Sequence, residues 1–386
     1  MYTIDTENLP ILVWGEQIDE ATLAQARNLA NLPFAFHHVA LMPDAHIGYG
    51  MPIGGVFAAR GQVIPHAVGL DIGCGVRGWK TNIPVEELLP VRDAVLNEIQ
   101  RGVPQGFDWH RTSQAERTDL FDEVPDVPAL RAQVAKAELQ VGSLGGGNHF
   151  IELQRDPDGI VWAMIHTGSR NVGKQVAEHF DHLARDLNRS EGSPVPLEWG
   201  LAHIACDSEA GVAYLAAMGW CMRFAFESRR LIAEVVQAAL DRRFAGAQPE
   251  PAVDVHHNYA SVEQQFGEKV TVHRKGAVRA VGTVLIPGSM GTVSYVGGGL
   301  ALPDAFESCS HGAGRAMGRK AAMRALPRER VLADLEELDV RLFKRHKRDV
   351  AEEAPEAYKN IDDVMRWQED LVEARIRLRP LGVVKG

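Results

Sequence analysis

Cysteine is scarce in this chain: four residues, at 74, 206, 221 and 309, with no CxxC pair among them. That spacing excludes a disulfide framework and a structural zinc knuckle, and reduced thiols fit the cytoplasm. Long apolar runs are missing too, since nothing approaches the roughly 20 residues that span a bilayer. The opening residues MYTIDTENLP lack the basic-then-apolar layout of a secretory signal. A cytoplasmic enzyme without membrane association is therefore the expectation. Positive charge is not in excess either. Forty-one Lys and Arg against 51 Asp and Glu leave a net charge of -10. Non-specific affinity for nucleic acid comes largely from cationic contacts with phosphate, so any such contact must be a local patch. No Walker A motif, no repeat of fixed period and no Gly/Ser linker is present.

What the chain has is size and apolar content. With 386 residues and 45% hydrophobic composition, it can bury roughly three quarters of its unfolded surface. Amphipathic spacing predicts helices near 18–31, 85–101, 128–141, 173–188, 207–244, 314–325 and 361–376, with short β-like runs between them. Asp207 and Ser208 are possible caps for the longest helix, and Gly246 closes it. Trp220, Phe224 and Phe226 on that helix read as core or partner-facing side chains. Residues 104–128, rich in prolines and polar residues, read as a long surface excursion, either a lid or a solvated loop. The Arg341, Lys344, Arg345, Lys347 and Arg348 cluster faces either RNA or solvent from a helix. Candidate site residues are spread over most of the chain, so the expected architecture is one α+β domain over residues 1–386: mixed β-sheets, flanking helices and a central cleft. A monomer is the default oligomeric state.

Histidine beside glycine is the informative pattern. Asp71 and Cys74 lie in VGLDIGCGVRG, His149 in GSLGGGNHFIEL, His166 in VWAMIHTGSR and His257 in VDVHHNYA. Apolar runs such as Val161 to Ile165 and Val253 to Val255 stop at a histidine followed by turn residues, which presents the imidazole at a strand end. Any one of these histidines alone reads better as a hydrogen-bonded structural residue, and a lone buried cysteine as a small hydrophobe. Together they form a transition-metal donor set of imidazole, thiolate and carboxylate. Five donors exceed one tetrahedral shell, which points to two ions sharing a donor, for which a bridging thiolate is plausible. The leftover charge of roughly plus two attracts polyphosphate, and zinc, manganese or cobalt all suit these donors.

Two further segments carry glycine and hydroxyl groups. PGSMGTVSYVGGG, from Pro287 to Gly299, follows the β-like run VGTVLI and either cradles phosphate or makes a tight hairpin. In SCSHGAGR, His311 precedes a predicted helix whose amides would form an anion site, with Arg315 nearby. An imidazole with one unprotonated nitrogen held there is suited to attack on phosphorus.

PDAHIGYGMPIGGV (43–56), VGLDIGCGVRG (68–78), GGGNHFIE (145–152), IHTGSRNVG (165–173), HHNYA (256–260), HRKGA (273–277), PGSMGTVSYV (287–296), SCSHGAGR (308–315), APEAYKN (354–360) and the terminal VVKG together resemble the RtcB family of GTP-dependent RNA ligases, end to end. The resemblance implies two manganese ions, with Cys74 shared and Asp71, His149, His166 and His257 completing the ligands. It implies that His311 attacks the α-phosphorus of GTP. The resulting GMP then passes to an RNA 3'-phosphate, and a 5'-hydroxyl displaces it to seal the strand. A 2',3'-cyclic phosphate is first opened by hydrolysis. GTP would contact Asn148, His149, Phe150, Ile151, Glu152, His257, Asn258, Pro287, Gly288, Ser289, Met290, Ser294, His311, Gly312, Ala313, Gly314 and Lys385. Glu152 and Lys385 would read guanine, and Tyr358 would stack on or bond to the nucleotide. Asp44 would orient His311, although PDAH also reads as a plain turn. Lys275 and Arg170 are candidates for holding RNA phosphates. Against this stand two readings: a nucleotide-independent dinuclear phosphoesterase and a non-catalytic RNA-binding protein with structural zinc.

Overall fold

Strand Ile160–Thr167, IVWAMIHT, is buried along nearly its whole length, and its near-continuous apolar reading is that of a central strand covered on both faces. It pairs antiparallel with Gly75–Pro84 on one side and Phe150–Arg155 on the other. Outward from these come Val253–His256 on the first side and Val372–Lys385, Ser294–Leu300 and Val281–Ile286 on the second. A second sheet has six strands, in the order Tyr2–Ile4, Ile11–Val13, Ala35–His46, Ile53–Ala59, Glu268–Lys275 and Asn258–Gln265. The computed structural model describes residues 1–16, 18–347 and 349–386. The architecture is α+β, as expected.

Helix Glu209–Asp241 packs on the larger sheet's strands Ile160–Thr167 and Gly75–Pro84, and helix Arg170–Ser190 packs against that helix. Helix Arg170–Ser190 buries Val172, Val176, Ala177, Phe180 and Ala184, an apolar stripe at helical spacing. Helix Glu209–Asp241 starts at Ser208, whose side chain accepts from the Gly211 N–H. Trp220 and Phe224 are buried in it, whereas Phe226 is exposed beneath the Arg77 guanidinium. Its start and length match the reading of residues 207–244.

Five helical expectations are corrected. The run at 85–101 breaks around Pro90 into Val85–Leu88, a single tighter turn Leu89–Val91, and Arg92–Gly102. The run at 128–141 breaks into Pro128–Arg131 and Val134–Gln140. Helix Arg319–Ala325 begins five residues later than expected, because Gly314, at φ +71°, lies against Asp44: a β-carbon there would stand 2.2 Å from the Asp44 carbonyl oxygen. HGAGR therefore makes a close-packed turn, not a helix N-terminal anion site. The helix expected over 361–376 ends at Arg366, and strand Val372–Lys385 takes over. VEARIRLR alternates apolar and charged residues, a period of two that decides for strand. Arg341–Lys344 is likewise a strand, parallel to the C-terminal one, so the basic cluster is not a helix face. Lys344 is buried and bonds to the Gly386 carbonyl, Arg345 pairs with Asp108, and Arg348 lies outside the described residues. The excursion at 104–128 is largely irregular but anchored: Leu120 is fully buried, and its carbonyl accepts from Trp220 Nε1.

Candidate active site

Strand register assembles the metal-binding donors. His166 stands opposite Val76 and Phe150 in its two ladders, which sets it beside Cys74 and His149, each one residue ahead of a strand. His257 falls between Val253–His256 and Asn258–Gln265, and its N–H donates to the Cys74 carbonyl at 2.9 Å. The loop carrying Asp71 and Cys74 comes close to the long helix. A β-carbon on Gly73 would sit 2.8 Å from Met222 Cα, and one on Gly168 would sit 2.2 Å from Asp71 Oδ1. Glycine at both positions makes the space that the donors occupy.

Cys74 Sγ lies 3.2 Å from His166 Nε2 and 3.5 Å from His149 Nε2. His149 Nε2 lies 3.0 Å from Asp71 Oδ2, and the Nε2 atoms of His166 and His257 are 3.3 Å apart. These distances define two triads, Cys74–His166–His257 and Asp71–Cys74–His149, with the thiol common to both. His149 Nδ1 lies 3.0 Å from the Leu144 carbonyl, a contact that orients Nε2 toward Asp71 and Cys74. Burial, then neighbouring imidazoles, push His166 and His257 well below the ordinary histidine range, so both rings are neutral, the form that ligates. Burial and the nearby Asp71 push the Cys74 thiol up, so it ionises only when a cation arrives. Burial opposes ionisation of Asp71, but His149 and Arg170 outweigh it and hold the carboxyl at about 2. Asp71 Oδ1 and His257 Nδ1 are buried without a hydrogen-bond partner. Facing lone pairs and an orphaned carboxylate oxygen fit a pair of divalent cations.

His311 enters from a different sheet element, strand Ser308–Ser310. Its Nδ1 is 2.7 Å from Asp44 Oδ2, and its backbone N–H donates to the same oxygen at 3.1 Å. A carboxylate accepts, so Nδ1 carries the proton and Nε2 keeps its lone pair. Asp44 is fully buried within strand Ala35–His46, which overturns the turn reading of PDAH. Lys359 donates to the Pro43 and Ala45 carbonyls on either side of it. The His311 ring lies 4.8 Å from that of His257.

Around these groups opens a cleft of about 1060 Å³. Asn148, Phe150, Glu152, Asn258, Pro287 to Met290, His311 to Arg315, Tyr358 and Lys385 all line it. Ile151 does not: it points into the apolar core on the other face of its strand. Ser294 lies behind the wall, where its Oγ accepts from the Gly288 N–H at 3.2 Å and from Gln154 Nε2 at 3.0 Å. The Pro287 segment is a hairpin connection between paired strands, and its residues Pro287 to Met290 also line the cleft. The Asn258 side chain is committed to the Asp71 carbonyl and the Gly276 N–H. Arg170 stands under the metal-binding residues, 3.2 Å from His149 Nδ1.

At the far end of the cleft is a residue that sequence reasoning missed. Buried Glu353 is 2.9 Å from Lys385 Nζ, accepts from the Tyr358 hydroxyl at 2.7 Å and lies 3.3 Å from Arg315. Burial opposes its charge, but Lys385, Tyr358 and Arg315 hold it at about 2. Its only signal was position, next to APEAYKN, and an EE pair reads as solvated surface. Arg315 is thereby occupied: besides Glu353 it bonds to the Tyr358 hydroxyl and to the Glu352 and Met317 carbonyls. Glu152 is the opposite case. Burial pushes it up to about 8, against the pull of Gln154 and Lys385.

The family model for the tRNA-splicing ligase RtcB matches residues 25–135 and 121–386. The RNA-splicing ligase RtcB of Escherichia coli K12 is 35% identical, over 99% of this chain and 99% of that protein. The tRNA-splicing ligase RtcB of Thermococcus kodakarensis is 34% identical, over 95% of this chain and 91% of its own length. The RNA-splicing ligase RtcB of Mycobacterium tuberculosis is 35% identical, over 94% of this chain and all of that protein.

Proposed function

The chain belongs to the RtcB family of RNA-splicing ligases, and from that premise we propose that residues 1–386 act as one catalytic domain in the cytoplasm, sealing RNA 3'-phosphate or 2',3'-cyclic phosphate ends to 5'-hydroxyl ends at the expense of GTP. The observation that carries this reading is the placement of His311: Nδ1 fixed on buried Asp44, the ring against His257, within the cleft that also holds Glu152 and Lys385.

Asp44 holds the proton on Nδ1, so His311 Nε2 is the attacking atom. A bond forms from Nε2 to the α-phosphorus of GTP while the bond to pyrophosphate breaks. The RNA 3'-phosphate then takes the GMP, which gives an anionic, poorly reactive end a leaving group. Attack by the 5'-hydroxyl on that 3'-phosphorus expels GMP and closes the strand. Asp71, Cys74, His149, His166 and His257 would hold two manganese ions, which offset charge on entering and leaving oxygens. Glu152 would accept from guanine N–H groups and Lys385 would donate to its O6, while Tyr358, held by Glu353 and Arg315, would face the nucleotide.

Incubation with [α-32P]GTP and manganese should leave label on the denatured protein through an acid-labile, base-stable bond. His311→Ala should abolish it. Label that persists in the variant removes the proposed nucleophile. Cleavage of a cyclic phosphate without GTP, and without any sealing, would support a phosphoesterase instead.

A further inference from the structure

The two cations expected to hold RNA phosphates are engaged inside the protein. Lys275 Nζ donates to the Tyr49 carbonyl at 2.6 Å and the His66 carbonyl at 3.0 Å, and Arg170 reaches the Gly106 carbonyl at 3.4 Å from beneath the metal-binding residues. Two other cations are uncommitted. Arg155 and Arg379 are exposed, and among the described residues neither donates to any acceptor, in a chain with a net charge of -10. They stand directly opposite each other where strand Val372–Lys385 pairs antiparallel with Phe150–Arg155, so both side chains leave the same face of the sheet. Like charges in that position destabilise a sheet, and a bound anion would remove the cost.

Both arginines line a second groove, of about 650 Å³. It adjoins the cleft without opening the nucleotide or metal-binding groups. Tyr358 lines both spaces, and the hairpin connection faces the cleft with Pro287 to Met290 and the groove with Gly291 to Val293. Leu89 and Leu338, 41% and 54% exposed, flank the groove with apolar surface. Charge of one sign between walls of low dielectric focuses its field on what approaches.

Three carboxylates also line the groove, and each is drawn to another cation. Both oxygens of Asp339 accept from Arg92, at 2.8 and 3.2 Å, with Arg341 and Arg155 pulling on the carboxylate from farther away. Asp362 accepts from Arg377 at 2.5 Å and from the Tyr295 hydroxyl at 2.6 Å. Glu356 Oε1 lies 3.1 Å from Arg330, and its Oε2 has no partner but is shut off from solvent. Lys359 is turned to the Pro43 and Ala45 carbonyls. What remains for a ligand is two guanidiniums side by side. A guanidinium fork matches the oxygens of a phosphate, and an RNA backbone supplies phosphates in series whatever its sequence.

Resting on the ligase reading above, we propose that this groove is an RNA-backbone site outside the cleft, where Arg155 and Arg379 hold phosphates of the substrate away from the ends being joined. The test is RNA affinity by fluorescence anisotropy over a series of lengths and salt concentrations, run beside GMP uptake by the protein. Arg155→Gln combined with Arg379→Gln should weaken binding of long single-stranded RNA about tenfold and cut the slope of log affinity against log salt by roughly 1.4, two phosphates at about 0.7 each. The shortest oligonucleotides, which fill only the cleft, should bind variant and wild type alike, with GMP uptake unchanged. Arg155→Lys combined with Arg379→Lys, which keeps the charge, should keep most of the salt slope. The urea midpoint of the glutamine variant should not fall, since the pair has no partner to lose. A lowered midpoint, an unchanged affinity for long RNA, an equal loss at every length, or loss of GMP uptake in the variant overturns the assignment of the groove. So does polyglutamate that displaces long RNA from the wild type at matched charge, which would make this a site for an acidic protein. Absence of GMP uptake by the wild-type protein overturns the ligase reading, and the length-dependent affinity then still decides the groove.

Discussion

At the Asp71–Cys74 end of the cleft the side chains confront one another unpaired, whereas at the Glu353 end they are already matched. His166 and His257 point nitrogen lone pairs at each other across 3.3 Å, and Asp71 Oδ1 has no partner. Some 30 residues from the C-terminus, Glu353 gathers Lys385, Tyr358 and Arg315 into a closed network. One end is completed by what binds there; the other is built in advance to position it. Ligand binding should therefore stabilise the first strongly and leave the second nearly unchanged.

The contrast can be broken most directly at Cys74. Cys74→Ala removes the donor common to both triads, so manganese content measured by atomic emission should fall, and GMP uptake should drop at least about a hundredfold. Manganese should also raise the melting temperature of the wild-type protein and not that of the variant. At the other end, Glu353→Gln strands a buried lysine and an arginine, and should cost about 3–5 kcal/mol in urea unfolding while leaving metal content intact. Loss of metal in that variant would mean that the two ends are not separate.

The smallest effect sharpens the contrast within the Glu353 end, where Glu152 also lines the cleft. Glu152 keeps its proton up to about pH 8 in the folded protein, far above an unfolded glutamate. Its contribution is present in full below the unfolded pKa and is lost as pH rises through about 8. Nucleotide-free wild-type protein should therefore lose about 1.4 kcal/mol relative to Glu152→Gln between pH 6 and pH 7 in guanidinium unfolding. A flat difference would place Glu152 in a wetter or better-paired site. Because guanine would supply the donors that the carboxylate lacks, GTP should release a proton from this site near neutral pH.

The five metal-binding donors and His311 are legible in the sequence because each sits where glycine or a broken apolar run marks a backbone doing something particular. Asp44 is legible only through resemblance, since PDAH viewed locally is a turn; it sits in an irregular stretch of strand held by the pairings on either side, Leu41 with Gly55 and His46 with Ile53. Glu353 is not legible, because an acidic pair before a proline has nothing to distinguish it from surface. The helix predicted over 361–376 fails because VEARIRLR alternates with a period of two and makes strand Val372–Lys385. Between the helix end at Arg366 and that strand, Gln368 bonds to Ser310 on both its amide atoms.

By itself the sequence determined which chemistry is on offer: a thiol, a carboxylate and three imidazoles, glycines that let backbones meet, and a family pattern running end to end. Only the tertiary structure decided which atoms share a space. Candidate donors spread from residue 71 to 257, and a histidine at 311, meet through ladder register and through β-carbons absent at Gly73, Gly168 and Gly276. Those contacts are non-local, and because strand pairing reverses side-chain direction with every one-residue shift, no reading of local pattern contains them.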